Sequence, residues 1–176
     1  MKVFLIGYMG VGKSTIGKRL ASALGLPFAD LDREIEKMEG TSIAAIFAKK
    51  GEAYFREKET QALTEMAQST RGAVISTGGG TPCHAENMDL MLNSGVVVWL
   101  QLPSHVIAQR LEKSQSERPL IAGLLSDSLP DFIKTHLESR LPFYQRAHIA
   151  IDTRDFNAEK LKALTAMVLA HGESKT

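Results

Sequence analysis

Gly7-Tyr8-Met9-Gly10-Val11-Gly12-Lys13-Ser14 carries the strongest structural signal in the chain. It satisfies the pattern G-x-x-x-x-G-K-[ST] and stands between the apolar run Val3-Phe4-Leu5-Ile6 and an amphipathic segment that begins at Lys13. A strand before and a helix after are the context in which this pattern cradles phosphate. Its glycines let the backbone curl until several N–H groups converge, and the N-terminus of the following helix adds partial positive charge. Lys13 is placed to reach β- and γ-phosphates as a point charge, and the Ser14 hydroxyl to ligate Mg²⁺. The segment Gly10, Val11, Gly12, Lys13, Ser14 and Thr15 is therefore expected to hold a nucleoside triphosphate. The chain has no N-K-x-D element with which to read guanine, which favours ATP.

Outward from this loop, short apolar runs alternate with longer amphipathic ones, the pattern of βαβ units on a parallel sheet. Strands are expected at 2–6, 27–30, 73–76, 96–100 and 148–151. Helices are expected at 13–24, closed by Gly25, at 42–49, and at 52–68 with Phe55, Ala62, Leu63 and Met66 on one side. Pro103 opens another before Ile107 and Leu111, and Asn157 caps one over 158–170, with Glu159 near the positive end of its dipole. The expectation is a single α/β domain over 1–176 built on five strands. The polar run Glu112-Lys113-Ser114-Gln115-Ser116-Glu117-Arg118-Pro119 breaks the alternation. It reads either as a surface loop or as a mobile lid over about 112–124.

Composition bounds the partners. A chain of 176 residues buries roughly 70% of its unfolded surface, enough for a core without disulfides or a structural metal. With 21 Lys+Arg against 20 Asp+Glu and no long block of like charge, no field exists to hold a DNA duplex or an anionic bilayer, so any bound anion must be gripped locally. The single cysteine, Cys83, has no intramolecular partner, which fits a reducing cytosol. Cys83 and His84 together are too few ligands for a metal site. The apolar N-terminal run is short and ends in Gly12-Lys13-Ser14 rather than a cleavage site, and no stretch reaches the roughly 18 apolar residues of a membrane span. A cytoplasmic monomer acting on small molecules is expected.

Asp30 and Asp32 end the second expected strand. Two-residue spacing in extended chain puts both carboxylates on one side, at the sheet edge where ligands bind. Asp30 is then a candidate to hold Mg²⁺ through water, and Asp32 to meet an acceptor hydroxyl.

The ordered set GYMGVGKST, FADLD, GEAYFREKE, STGGG, ERPL and SRLPFY resembles shikimate kinases over nearly the whole chain. That resemblance implies a three-layer P-loop kinase fold, a five-stranded parallel sheet flanked by helices, with a substrate-binding helical region at about 32–60 and a lid that closes over ATP. It also implies transfer of the γ-phosphoryl of MgATP to the 3-hydroxyl of shikimate, on the route to aromatic amino acids. By the same resemblance, Arg56 and Arg140 bind the substrate carboxylate, Asp32 a hydroxyl, and Gly79, with Gly78 and Gly80 beside it, contacts the substrate. Glu59 supports that site, Arg118 swings onto the phosphates, and Arg110 and Arg154 pack around adenine. Lys13, Asp32 and Arg118 are the expected catalytic residues, with Mg²⁺ on Ser14 and Asp30.

Local readings of the same residues stay open. Arg56 could be a helix-surface partner of Glu52 or Glu59, Arg140 a surface arginine near a helix end, and the three glycines a plain turn. Rival functions are a gluconate or nucleoside monophosphate kinase of the same architecture, or a nucleotide-binding regulatory module with no acceptor.

Overall fold

The structure, a computed structural model, describes residues 1–112 and 129–173. Five parallel strands, β1 Lys2–Ile6, β2 Phe28–Asp30, β3 Ala73–Ser76, β4 Val96–Gln101 and β5 Ile149–Asp152, form one sheet in the order β2-β3-β1-β4-β5. Each lies within a residue of its expected place.

Side chains alternate across a strand, so the sheet divides the core in two. Val3, Leu5, Val96, Val98 and Leu100 pack on one face with α1 Lys13–Leu24, α5 Ser104–Glu112 and α7 Ala158–Glu173. Phe4, Ile6, Ile75 and Val97 pack on the other with α2 Leu31–Glu39, α3 Ile43–Gln68 and α4 Asn87–Ser94. The remaining α-helix among the described residues, α6 Leu129–Tyr144, contributes Leu129 and Ile133 to the first cluster and Tyr144 to the second. Burial on both faces explains why the strands read as continuous apolar runs rather than alternating ones.

Three parts of the sequence reading change. Asp32 is not in extended chain: α2 begins at Leu31, so Asp30 ends β2 and Asp32 lies in the first helical turn. The pair Leu31 and Ile35, both buried and one turn apart, with Gly40 in the left-handed conformation as C-cap, drives that helix. The helices expected at 42–49 and 52–68 are two arms of α3, broken at Gly51 where φ is 81° and ψ 174°. Helix α4 has no counterpart in the sequence reading, and α6 has none beyond the helix end considered near Arg140. The lid expected over about 112–124 lies, past Glu112, outside the described residues, and Arg118 with it. Where signals were strong the helix ends agree: Gly25 closes α1 in the left-handed conformation, and the Asn157 side chain accepts from the Lys160 N–H at 3.0 Å.

Gly17 seats α1 on the sheet. A β-carbon there would lie 2.5 Å from Phe28 Cε2 and 2.9 Å from Leu5 Cδ1, closer than real contacts allow. Alanine favours a helix interior by about 1 kcal/mol over glycine, but overpacking costs about 1–3 kcal/mol. The Gly17→Ala variant is therefore expected to lose about 1–2 kcal/mol of stability, measured as a lower urea midpoint with an unchanged slope.

Candidate active site

The carboxyl edge of the sheet gathers the loops after β1, β2, β3 and β5. Leu5 pairs with Ser76 on one side and Val98 on the other, which brings the chain after β1 level with the chain after β3. Thr77 fixes that level, its N–H and its hydroxyl both donating to the Leu5 carbonyl at 3.1 Å. On the far side, Thr153 donates through its hydroxyl to the carbonyls of Gln101 at 2.9 Å and Val11 at 3.4 Å, fastening the chain after β5 to the loop after β1.

That loop has the curled backbone its sequence demands, with φ of 142°, 82° and 98° at Gly7, Gly10 and Gly12. The first turn of α1 carries no acidic side chain, so the positive end of its dipole faces the loop unopposed. Lys13 folds back over the loop, its ammonium donating to the Gly7 carbonyl at 2.8 Å and the Tyr8 carbonyl at 3.0 Å.

A cavity of about 410 Å³ opens above this loop. Gly10, Gly12, Lys13, Ser14 and Thr15 form one wall, while Asp30, Asp32, Gly78 and Gly79 form the other. Val11, by contrast, is buried in the core and does not line the cavity. The Ser14 hydroxyl donates to Asp30 Oδ2 at 2.9 Å. Burial is the main cause that pushes the Asp32 carboxyl up to about 6, and the negative charges of Asp30, Glu59 and Glu36 add to it against the opposing pull of Lys13.

A second cavity, of about 370 Å³, borders the first across Gly78-Gly79-Gly80, and its walls are basic. Arg56 and Arg140 line it together with Glu52, Gly80, His84 and His136. Arg56 donates to Glu59 Oε2 at 2.8 Å and to Glu52 Oε1 at 3.1 Å. The helix-spaced pairing considered from sequence is thus present, but Glu59 is completely buried and also accepts from the Thr81 hydroxyl at 2.6 Å. This ion pair is an interior brace that steers Arg56 toward the cavity, beyond what an exposed pair would do.

Arg140 is no surface residue either: it is 6% exposed. Its Nη2 lies 3.0 Å from His136 Nε2, and its guanidinium stacks 5.2 Å over the Tyr8 ring. Arg140 Nη1 is buried and has no hydrogen-bond partner among the described residues. A buried guanidinium N–H left unpaired costs stability unless a ligand completes it. The geometry therefore offers an anion two guanidinium groups lining one cavity, which borders the cavity that holds a carboxylate and the phosphate-binding loop.

Comparison with known proteins agrees with this geometry. The shikimate kinase family model matches residues 9–169. The chain belongs to the shikimate kinase family. It is 44% identical over 160 residues to a shikimate kinase of Parabacteroides distasonis, an alignment that covers 91% of this chain and 89% of that one. The crystal structure of shikimate kinase from Bacteroides thetaiotaomicron superposes with a TM-score of 0.87 at 37% identity, over 98% of both chains. A shikimate kinase from Acinetobacter baumannii, solved in complex with shikimate, gives 0.82 at 34% identity, over 99% of this chain and 94% of that one. The chain is accordingly an ATP-dependent kinase with an alcohol acceptor, acting in shikimate phosphorylation toward aromatic amino acids.

Most residues that the sequence nominated meet at the two cavities. Arg110 and Arg154 sit further out. The Arg110 guanidinium donates to the Gly10 carbonyl at 3.2 Å from α5, and Arg154 pairs with Asp152, one residue past the anchoring Thr153. Neither lines either of the two cavities; Arg110 meets the phosphate loop directly, and Arg154 follows Thr153, whose hydroxyl meets the Val11 carbonyl. His136, Ser139 and Tyr144 went unnoticed in the sequence because α6 did. His136, Arg140 and Tyr144 recur every four residues, which puts them on one helix face, and that spacing was the available signal. Tyr144 is fully buried and donates to the Gly79 carbonyl at 2.6 Å, holding the glycine segment between the cavities. Among the described residues no helix is long and apolar enough to cross a membrane.

Proposed function

We propose that this chain, acting as a cytoplasmic monomer, transfers the γ-phosphoryl of MgATP to the 3-hydroxyl of shikimate, giving shikimate 3-phosphate and ADP. The observation that carries the reading is the buried, unpaired Arg140 Nη1 beside Arg56, set across Gly78-Gly79-Gly80 from Asp32. It suits an acceptor with a carboxylate at one end and a hydroxyl at the other. Guanidinium forks match a carboxylate in plane and in charge.

In this reading the backbone from Gly10 to Thr15 and the Lys13 ammonium hold the β- and γ-phosphates. Ser14 and Asp30 pair a hydroxyl with a carboxylate, both hard oxygen donors that suit Mg²⁺. Bound there, Mg²⁺ would neutralise charge on the β- and γ-phosphate oxygens. Asp32 accepts the hydrogen bond of the attacking hydroxyl and takes its proton as the new P–O bond forms and the bond from the γ-phosphorus to the β,γ-bridging oxygen breaks, releasing ADP. Its raised pKa keeps it a carboxylate at neutral pH while bringing its basicity closer to that of a useful acceptor. Arg118, outside the described residues, is assigned the third cation on the sequence resemblance, and Arg110 and Arg154 the adenine end. The substrate-binding helical region at about 32–60 corresponds to α2 and the first part of α3.

The decisive experiment is an acceptor screen with purified protein and MgATP, in which shikimate, gluconate and nucleoside monophosphates compete. Turnover with shikimate far above the others is expected. Phosphorylation of another acceptor in preference to it, or ATP hydrolysis alone, overturns the reading. For Arg140→Lys, KM for shikimate is expected to rise about 10- to 100-fold with KM for ATP unchanged, since lysine keeps the charge but loses the fork. Steady-state titration of each substrate measures the split.

A further inference from the structure

Two neighbours hold the Arg140 guanidinium in its place, Tyr8 beneath it and His136 at its edge. His136 also meets the Tyr8 hydroxyl, through Nδ1 at 2.8 Å. A guanidinium only donates hydrogen bonds, so His136 Nε2 must be the acceptor. An imidazole that accepts at Nε2 is neutral and carries its proton on Nδ1, which then donates to the Tyr8 oxygen. Donation runs in one sense, from Arg140 on α6 to His136 one turn earlier and on to Tyr8 in the phosphate loop. The Phe132 ring, 5.2 Å from the imidazole, closes a third side.

We propose that neutral His136 is a positioning residue for the acceptor. By accepting from Arg140 Nη2 it fixes the guanidinium plane, so that Nη1, buried near Gly79, stays available to a carboxylate. The proposal rests on the assignment of Arg140 to the carboxylate of shikimate. Protonation of His136 removes the lone pair that holds Arg140 and sets two cations against each other at the same 3.0 Å. Burial and, secondarily, the Arg140 charge both lower the His136 pKa, which keeps the neutral form at physiological pH. The other ionisable groups around it are Tyr8 from the phosphate loop, Cys83 and His84 beside the short turn Thr81–Cys83, and Arg56 and Glu52 from α3. Helix α5 meets α6 through Ile107, Ala108 and Leu111, with His105, Arg110 and Glu112 exposed.

The test compares the parent with His136→Gln, His136→Leu and Arg140→Lys. Kinetics are measured for both substrates, and imidazole ¹⁵N shifts are recorded on labelled protein at pH 7.5. His136→Leu is expected to raise KM for shikimate about tenfold, with kcat and KM for ATP within about threefold of the parent. His136→Gln, whose amide oxygen can accept where Nε2 does, restores KM to within about threefold. The parent imidazole shows the neutral Nδ1–H tautomer. As pH falls below the ordinary histidine value of about 6.5, KM for shikimate rises more steeply in the parent than in His136→Gln. Asp32 titrates in both proteins, so the difference between them belongs to His136.

An Nε2–H tautomer or an imidazolium at pH 7.5 overturns the proposal. So does a leucine variant with unchanged KM for shikimate, or one that damages both substrates and kcat alike. If the leucine variant does not fold, the tautomer and the parent–glutamine pH comparison decide. Arg140→Lys without effect on shikimate would overturn the assignment of Arg140 itself. A large effect there, beside a silent leucine variant, would overturn only the role of His136.

Discussion

Replacing Lys13 by alanine is expected to lower kcat by about 10³-fold or more while leaving the fold intact. Phosphoryl transfer gives the protein little covalent chemistry to perform, so its rate enhancement comes from alignment and from cations set where charge develops. Lys13 is the cation built into the phosphate loop itself, and a loss of that size corresponds to about 4 kcal/mol of transition-state stabilisation. Its cost to stability is smaller. Among the described residues the side chain donates hydrogen bonds to the Gly7 and Tyr8 carbonyls, at the cavity rather than in the interior. Their loss is worth about 1–2 kcal/mol, or a Tm lowered by roughly 2–8 °C for a chain of this size. Calorimetry beside single-turnover phosphorylation separates the two. A variant with kcat within about tenfold of the parent would remove Lys13 from the catalytic set.

Asp32→Asn is expected to lower kcat by about 10²- to 10⁴-fold, the usual range for a positioned base, and at the same time to stabilise the protein. The sign follows from the raised pKa. Asp32 titrates at about 6 in the fold, against about 3.9 in an unfolded chain. Between those values the folded state binds the extra proton, and above about 6 the buried carboxylate destabilises the native state, by roughly 1–3 kcal/mol. Below about pH 4 both states are protonated and the penalty vanishes. Asparagine removes the ionisation, so the gain should appear at pH 7.5 and fade toward pH 4 in urea melts. In the parent, kcat/KM is expected to fall as pH drops through about 6, and the asparagine variant should lose that limb. A variant destabilised at every pH, with the acid limb intact, would show that Asp32 is a structural hydrogen-bond acceptor.

These two residues differ in how far the sequence led to them. Lys13 follows from a contiguous motif, because eight adjacent residues bring strand, curled loop and helix start together without help from the rest of the chain. Asp32 was nominated on the wrong local geometry. The extended spacing that seemed to align it with Asp30 is replaced by the first turn of α2, and the two carboxylates reach one cavity because a strand ends where a helix begins. Leu31, Ile35 and Gly40 carried that information, but the run is only nine residues long and rich in charge, so its apolar face is thin.

The sheet, the phosphate loop, both ends of α1 and the start of α7 were legible in the sequence alone, since each rests on neighbours within a few residues: apolar runs, glycines that allow positive φ, an asparagine cap. The resemblance added the identities of Arg56 and Arg140, but neither their depth nor their partners. Tertiary structure alone decided that Glu59 is sealed in the interior as a brace for Arg56. It alone decided that a loop tyrosine and a histidine 128 positions later hold Arg140 between them. Those contacts depend on how α3 and α6 pack against the carboxyl edge of the sheet. Desolvation, which sets both the Asp32 pKa and the neutrality of His136, exists only once that packing has removed water.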